Sequence, residues 1–250
     1  MIGGTVFVGS GNYQQLLHDS DFWDGVQRVV LYGLVVIPLG LGLALLFALI
    51  IDSGTVPFAG LFRLGFFLPY AIPGVVAALL WGYLYGPAFG PFAQAATQFN
   101  LPQPQFLSDS GMLPSIGNIS IWLYTGSNMI IFFAALQSIP ADLYEAATMD
   151  GANGRRIAWH IKVPLIAPAL AMMGILSIIG TLQIFTEPQI LAQLAPDVIG
   201  THYTPNLYAY NLAATGQQFN YVAAVSFGLG AVIIVCSSLF LGIVNRIRMD

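Results

Sequence analysis

The stretch VVLYGLVVIPLGLGLALLFALII, residues 29–51, decides the fold class of this chain. It contains no charged side chain, and as a helix it would extend about 35 Å at roughly 1.5 Å per residue. About 20 apolar residues in a helix are enough to cross the hydrocarbon core of a bilayer. We therefore predict a membrane-spanning helix between Arg28 and Asp52.

The composition extends this conclusion to the whole chain. Hydrophobic residues make up 57% of the 250 residues and charged residues only 7%, whereas soluble domains carry about 25% charged residues. Further apolar stretches predict spans at about residues 64–85, 116–136, 165–185 and 221–244. The predicted fold is all-α, a single domain of residues 1–250 in which residues 28–245 form a polytopic bundle of about five transmembrane helices. Prolines are expected to kink two of these spans, at Pro38, Pro69 and Pro73.

The positions of the cations predict how the bundle is oriented, because Lys and Arg near the ends of spans stay on the cytoplasmic side. One side of the predicted bundle holds all the cations except Arg28, namely Arg63, Arg155, Arg156, Lys162, Arg246 and Arg248. We therefore expect a multi-pass protein of the cell's inner (plasma) membrane, with a cytoplasmic C-terminus and an extracytoplasmic segment at residues 1–27. We also expect an upstream first helix that would complete a six-span core. Otherwise the span after Arg28 must insert unaided with its N-terminus outward.

The connection at residues 140–164 combines charged residues with signals for a helix start and a helix stop. Pro140 suits the start, and Gly151 lies where a helix of about eleven residues would stop. An isolated helix of this length is marginal in water, where roughly 12 to 15 residues are needed, so we expect another protein to hold it. One face presents small and apolar side chains with a carboxylate: Leu143, Ala146, Ala147 and Asp150. A second helical stretch at about residues 155–162 then leads to Pro164, which is expected to open the fourth span.

Charged loops between spans are usually solvated cytoplasmic connections, but the spacing within this one follows a motif. Glu145-Ala146-Ala147 is followed by Gly151 after three residues, by Ile161 after nine more and by Pro164 after two more. This spacing resembles the EAA loop of ABC importer permeases, with Val163 where that loop usually has leucine. Other segments resemble the sugar permeases of the maltose-type group over nearly the whole chain: GNYQQLL at 11–17, FFLPYAIPGVVAALLW at 66–81, ALQSIPADLYEAATMDGA at 135–152 and FTEPQIL at 185–191.

The resemblance implies an ATP-driven importer that carries a sugar or sugar-like solute by alternating access. Its implied partners are a second homologous permease subunit in a heterodimer, two copies of a cytoplasmic ABC ATPase that binds ATP and Mg, an extracytoplasmic solute-binding protein and membrane lipid. Residues 140–164 would then be a coupling loop seated on the ATPase, where Glu145 would pair with a basic residue. The residues implied in this contact are Glu145, Ala146, Ala147, Asp150, Gly151, Ile161 and Pro164.

Sequence patterns of catalysis are missing, so we expect a non-catalytic permease subunit without catalytic residues, cofactor or metal of its own. Lys162, the only lysine, follows no glycine-rich phosphate loop. The histidines are scattered and lack the spacing of a metal site: His18, His160 and His202. The single Cys236 excludes an intrachain disulfide. We expect no nucleic-acid partner.

Polar side chains inside spans should face the bundle interior or a watery cavity. Two sets share a helical face by their three- and four-residue spacing: Tyr124, Ser127 and Asn128 in the third predicted span, and Gln183, Thr186 and Glu187 in the fourth. Neutral donors and acceptors beside aromatic rings suit a sugar, so all except Ser127 are candidate pathway residues. The alternative is that such groups only tie helices together, which we favour for Ser127. We expect Glu187 at the outer mouth, beside Pro188.

Two other functions compete with the one that the resemblance implies. An ion-coupled secondary transporter is disfavoured, because the sequence shows no inverted repeat and no acidic residue deep inside a predicted span. A purely structural membrane subunit would dock other proteins through the loop and pass no solute. The cargo also stays open between a sugar, a glycerol phosphate and another polyol-like solute.

Overall fold

The computed structural model describes residues 7–249, without the side chains of residue 245 and residues 247–249. The first six residues of the predicted extracytoplasmic segment, residue 250 and the side chain of Arg248 lie outside the described residues. Helices connected by turns and short loops make up the described part, which contains no β-strand. The predicted all-α fold class is therefore confirmed.

The first half of the chain forms, in order, the helices α1 (Gly11–Leu17), α2 (Ser20–Asp52), α3 (Ala59–Phe67), α4 (Gly74–Tyr85), α5 (Pro91–Gln98) and α6 (Asp109–Gln137). The second half forms α7 (Ala141–Met149), α8 (Gly154–Ile157), α9 (Val163–Leu165), α10 (Ala167–Leu182), α11 (Thr186–Leu191), α12 (Pro205–Ala214) and α13 (Phe219–Met249). A 3₁₀ turn at Leu68–Ala71 follows α3, and a π-helical turn at Ala158–Lys162 joins α8 to α9.

The number of membrane spans agrees with the prediction, although one of them is broken. Four described segments are long and apolar enough to cross a membrane: Ser20–Asp52, Asp109–Gln137, Ala167–Leu191 and Phe219–Val244. A fifth span results if α3 and α4 are counted together, but these helices meet at a bend of 97°. The predicted second span is therefore not one helix. The result is a bundle of four or five spans.

The three prolines expected to kink their spans behave differently. Pro38 lies inside helix α2, which continues past it, so it does not end the helix, and the expected kink there stays a prediction. Pro69 and Pro73 lie at the break between α3 and α4, where Ile72 has extended backbone with a ψ of 129°. The residue before a proline is pushed out of the helical region, and two prolines four residues apart also remove two backbone donors. One proline is tolerated here, whereas the pair ends a helix.

The fourth predicted span also differs from the observed one at both ends. Pro164 lies in the short helix α9, and α10 begins after Ile166, with Pro168 in its first turn. At the other end, α10 stops at Leu182 and α11 starts at Thr186. Pro188 explains the second break, because its ring would clash with the carbonyl of the residue four positions earlier. The freed carbonyl of that residue, Ile184, accepts a hydrogen bond of 3.2 Å from the hydroxyl of Thr204.

Packing gives the bundle two distinct ends. Helices α2 and α6 pack along each other, and α10 packs against both α2 and α13. The Asp19 end comprises α1, the start of α2, α12 and the start of α13. The Asp52 end comprises the last turns of α2 and α6 together with helices α7 to α9. Residues 140–164 therefore lie at the opposite end of α2 from Asp19.

Helices α3 and α6 touch backbone to backbone. A Cβ atom added to Gly126 would lie only 1.7 Å from the carbonyl oxygen of Phe66. Only glycine fits at this position, because any side chain would push the two helices apart. Ring stacking between Phe47 and Phe66, with centroids 4.5 Å apart, holds α3 against α2 on the neighbouring side.

Candidate functional site

Helix α7 begins and ends close to the predicted positions. Pro140 precedes its first residue, and the helix has nine residues rather than about eleven. Beyond its end, Gly151 has a φ of +79°. Its N–H donates to the carbonyl of Thr148 at 3.0 Å, and the N–H of Ala152 donates to the carbonyl of Ala147 at 2.9 Å. This is a Schellman cap, whose left-handed residue is normally glycine, so the local role of Gly151 follows from its backbone.

The surface of the loop is open to a partner. Most of the predicted coupling residues are exposed, namely Glu145, Ala146, Asp150, Gly151 and Pro164, whereas Ala147 and Ile161 are half-buried. Met149 and Trp159 are also exposed, at 88% and 58% of their surfaces. None of the residues of α7, α8 or α9 is fully buried. The short helices therefore lack a core of their own.

An ion pair holds this loop to the bundle. The Lys162 ammonium pairs with the Asp52 carboxylate at the end of α2, and the two side chains are only 14% and 6% exposed. Gln137, the last residue of α6, donates from Nε2 to the second Asp52 oxygen at 2.6 Å. The same ammonium lies 4.8 Å from the ring centroid of Tyr144 in α7. Among the described residues this is the one ion pair.

Burial raises the pKa of Tyr144, and the negative charge of Asp52 raises it further. The Tyr144 hydroxyl is buried without a hydrogen-bond partner within the described part of the chain. Asp52, Gln137 and Tyr144 were not predicted as site residues, because Asp52 and Lys162 lie 110 residues apart in the sequence. The only signal in the sequence was that Asp52 ends one apolar stretch and that Lys162 precedes another apolar stretch.

The two candidate pathway residues on α6 have different surroundings. Tyr124 is 49% exposed, whereas Asn128, one turn further along, is 7% exposed. Ser127 donates its hydroxyl to the carbonyl of Tyr124 in its own helix at 2.9 Å. This hydrogen bond lies within α6, so it does not tie two helices together, and the structural role of Ser127 stays a prediction.

The second candidate set does not share a helical face, because α10 and α11 are separated by residues 183–185. Gln183 is exposed in this break, and its carbonyl accepts a hydrogen bond of 2.7 Å from Asn206. Glu187 is 7% exposed, and its helix α11 packs against α4 and α6. An acidic residue is therefore buried in the bundle, whereas its expected place at the outer mouth stays a prediction.

The structure brings part of the predicted pathway together with a residue that sequence patterns missed. The ring of Tyr70, in the turn after α3, lies 6.2 Å from the ring of Tyr124. The methyl group of Thr186 lies 3.8 Å from the position that a Cβ of Gly74 would take, at the start of α4. We use the name tyrosine–glutamate cluster for the ring pair Tyr70 and Tyr124 together with Thr186 and Glu187 on α11, the helix that packs against α4 and α6. It combines half-exposed aromatic rings with hydrogen-bonding groups, which is the chemistry that saccharides need.

A large cleft lies elsewhere, between α2, α3 and α6. It has a volume of about 830 Å³ and a mainly apolar lining that includes Phe47, Phe66 and Ile121. Such a lining offers few hydrogen bonds to a sugar, so we do not assign solute passage to it. In the described part of the chain, no group of three His, Cys, Asp or Glu side chains could hold a metal ion.

Comparisons with known proteins point to one kind of protein. A family model described as "Binding-protein-dependent transport system inner membrane component" matches residues 37–248. The lactose transport system permease protein LacF of Rhizobium radiobacter is 30% identical over 237 residues, which cover 93% of this chain and 79% of that protein. The sn-glycerol-3-phosphate transport system permease protein UgpA of Salmonella typhimurium is 30% identical over 229 residues, which cover 92% of this chain and 77% of that protein.

The fold has also been solved before. A chain of a bacterial alginate ABC transporter, crystallised in complex with an alginate pentasaccharide-bound periplasmic protein, superposes with a TM-score of 0.86. The match covers 96% of this chain and 84% of that chain, at 23% sequence identity. At this identity the likeness speaks for the fold alone.

Proposed function

Since the chain belongs to the family of inner membrane components of binding-protein-dependent transport systems, we propose that it is the permease subunit that carries a sugar or sugar-like solute in an ATP-driven importer. As a member of this family it is a transport component, which favours this function over an ion-coupled secondary transporter. Alternating access of the bundle would move the solute into the cytoplasm.

The proposed assembly contains a second homologous permease, two copies of an ABC ATPase that bind ATP and Mg, and an extracytoplasmic solute-binding protein. The Asp52 end would face the cytoplasm, because the positive-inside rule places Lys and Arg there. The described cations near that end are Arg63, Arg155, Arg156, Lys162 and Arg246. Arg28 lies towards the other end, where it donates to the carbonyl of Tyr203 at 2.8 Å.

The observation that carries this proposal is the exposed helix α7 in a loop that is tied to α2 and α6. Glu145, Ala146 and Ala147 would seat α7 on the ATPase, with Asp150, Gly151, Ile161 and Pro164 shaping the rest of the coupling loop. A displacement of α7 would act on Lys162, and through its ion pair with Asp52 on the ends of α2 and α6. An ATPase-driven movement would thus reach α6, the helix that carries Tyr124 of the tyrosine–glutamate cluster.

The solute class rests on the names of relatives and on the chemistry of the cluster. Permeases named for lactose, diacetylchitobiose and arabinooligosaccharides are 28–30% identical to this chain. We propose that the solute passes polar and aromatic groups at Tyr124, Asn128, Gln183, Thr186 and Glu187. Tyrosine rings can pack on the C–H faces of a sugar while hydroxyl, amide and carboxylate groups take its hydroxyl hydrogen bonds.

Co-purification from membranes of the natural host in mild detergent tests this function. We expect an ABC ATPase and a second permease to accompany the tagged chain. The Glu145→Arg variant should insert in the membrane but lose the ATPase and ATP-driven uptake. Asp24→Arg is a matched control, since it makes the same charge change at an exposed site of the Asp19 end. A wild-type chain without an ATPase, or a Glu145→Arg variant with normal uptake, would contradict the proposal.

A further inference from the structure

Building on the proposed function, we propose that Tyr144 is a positioning residue of the coupling loop, whose ring holds α7 to Lys162 so that α7 and the Asp52 end move as one unit. Apart from such a contact, α7 is joined to the bundle only along the chain. The connections are residues 138–140 before the helix and residues 150–153 after it. The inference names the side-chain contact that would carry an ATPase-driven movement from α7 to α2 and α10.

Tyr144 is the one large side chain of α7 that is not exposed. Leu143 and Met149 are 44% and 88% exposed, and the half-buried Ala147 has only a methyl group to pack. The Tyr144 hydroxyl at the tip of the ring is buried. Within the described residues, no other helix packs along α7. The inserted ring is therefore the main side-chain attachment of this helix.

The ring reaches a point where the ends of three helices meet. The Lys162 ammonium lies 4.8 Å from the ring centroid and pairs with Asp52 at the end of α2. Gln137, the last residue of α6, donates to the other Asp52 oxygen at 2.6 Å. Lys162 ends the π-helical turn that leads through α9 into α10, and such turns are rare and often mark functional sites. One contact thus joins α7 to α2, α6 and α10.

The contact should be strong because the cation is largely desolvated. The Lys162 side chain is only 14% exposed, and a desolvated cation over an aromatic ring is favoured by about thirtyfold in an equilibrium constant. The Tyr144 hydroxyl has no hydrogen-bond partner in the described part of the chain, so the ring and not the hydroxyl makes the attachment. Replacing the ring by an aliphatic side chain should therefore raise the detached fraction of α7 by up to about thirtyfold.

The distance between α7 and the end of α2, measured by pulsed EPR, tests this attachment without knowledge of the cargo. Spin labels would be placed at Met149→Cys and Thr55→Cys in a Cys236→Ala background of the assembled transporter, since both sites are exposed and Cys236 is the only native cysteine. With Tyr144 in place, we expect the same distance in the nucleotide-free and the ATP–vanadate-trapped complex. In Tyr144→Leu trapping should shift the distance, whereas the matched control Tyr144→Phe keeps the ring and should show no shift.

The outcomes separate this inference from the proposed function. A distance that trapping leaves unchanged in Tyr144→Leu, or shifts equally with Tyr144 in place, would overturn the inference alone. So would a Tyr144→Phe variant that behaves like Tyr144→Leu, because the hydroxyl would then hold α7. If Tyr144→Leu does not assemble, the double variant Asp52→Leu with Lys162→Met decides. It keeps the ring and removes the cation, so it should show the shift, and an unchanged distance would overturn the inference. A tagged chain that purifies without an ATPase contradicts the proposed function itself, and the inference with it.

Discussion

The two ends of α2 are each fixed by an aspartate, but the chemistry of the two contacts differs. At one end Asp19 accepts hydrogen bonds from the Tyr208 hydroxyl at 2.7 Å and from the Tyr221 hydroxyl. It also caps α2 by accepting from the N–H of Phe22 at 3.3 Å. At the other end Asp52 is bound by the Lys162 ammonium and the Gln137 amide.

From this difference we expect a fixed joint at the Asp19 end and a movable joint at the Asp52 end. The partners of Asp19 lie on α12 and α13, which pack against each other, and α12 also packs against α2. Buried apolar side chains such as Phe22 and Val225 surround that contact. The main partner of Asp52 lies in a loop whose helices have no fully buried residue. The loop therefore depends on a charge pair, while the Asp19 end is held by packing as well.

The largest effect is expected from removing the positive charge of Lys162 at the Asp52 end. Lys162→Met leaves Asp52 largely buried with Gln137 as its described donor, and breaking such a pair costs about 3 kcal/mol. We expect uptake per assembled complex to fall by about tenfold or more because the loop loses its attachment to α2. A tenfold change corresponds to about 1.4 kcal/mol, which lies within the energy lost with the ion pair. Uptake in proteoliposomes and thermal unfolding in detergent would measure both effects.

The double variant Asp52→Leu with Lys162→Met is the matched control. It removes both charges, so much of the stability should return, whereas coupling should stay impaired. Wild-type uptake in Lys162→Met would show that the ion pair does not connect the loop to the bundle.

A smaller loss is expected at the fixed joint. Asp19→Asn keeps one acceptor oxygen but cannot accept from both tyrosines and the Phe22 N–H as the carboxylate does. Hydrogen bonds to a charged group contribute about 1.5 to 3 kcal/mol, so we expect a loss of about 2 kcal/mol. Thermal unfolding should detect it, while uptake per folded complex should change little. A large uptake defect without destabilisation would mean that the Asp19 end also moves.

The pH dependence of the same contact gives a third test. Burial raises the pKa of Asp19, but hydrogen bonds from Tyr221, Tyr208 and two backbone N–H groups outweigh it and bring the pKa below its usual value. The folded pKa is thus lower than the unfolded one, near 3.9. The stabilisation is present above that unfolded value and is lost as pH falls through the folded pKa. The difference in Tm between wild type and Asp19→Asn should therefore be constant from about pH 5 to 8 and shrink below about pH 4. A difference that grows on acidification would refute this assignment.

The smallest effects should come from removing single hydroxyl groups at the two joints. Tyr208→Phe loses the hydrogen bond to Asp19 and should destabilise by about 1 kcal/mol. Tyr144→Phe removes a buried hydroxyl without a described partner and should be neutral or stabilising, within about 0.5 kcal/mol. Thermal unfolding of the two variants in parallel would measure the two losses of stability. Equal losses would mean that Tyr144 has a hydrogen-bond partner in the assembled protein.

The sequence predicts the spans and helix α7 well because their signals are local. An uncharged run such as residues 29–51 has no alternative in a membrane, since every backbone group must bond within its own helix. Helix α7 is defined by Pro140 and Gly151, and the φ of +79° at Gly151 shows why that position needs glycine. Both conclusions need only neighbouring residues.

The predictions are wrong where contacts between residues distant in the sequence determine the structure. Gln183 and Glu187 were assigned to one helical face on the assumption of a continuous helix, but the Pro188 ring ends that continuity. The burial of Glu187 depends on the packing of α11 against α4 and α6, and the Asp52–Lys162 pair depends on the folding of a segment 110 residues away. Hydrophobic periodicity carries no information about such contacts. The roles of the predicted coupling and pathway residues stay predictions that the variants above would test.

The contact at Gly126 makes α3 and α6 one mechanical block. The Phe66 carbonyl occupies the place of a side chain on α6, so the two backbones cannot slide lengthwise without first separating. Any tilt of α6 that starts at Gln137 must therefore carry α3 and the ring of Tyr70 with it. If the bundle opens by alternating access as proposed, the opening has to run along an interface where side chains meet, as they do between α4 and α11.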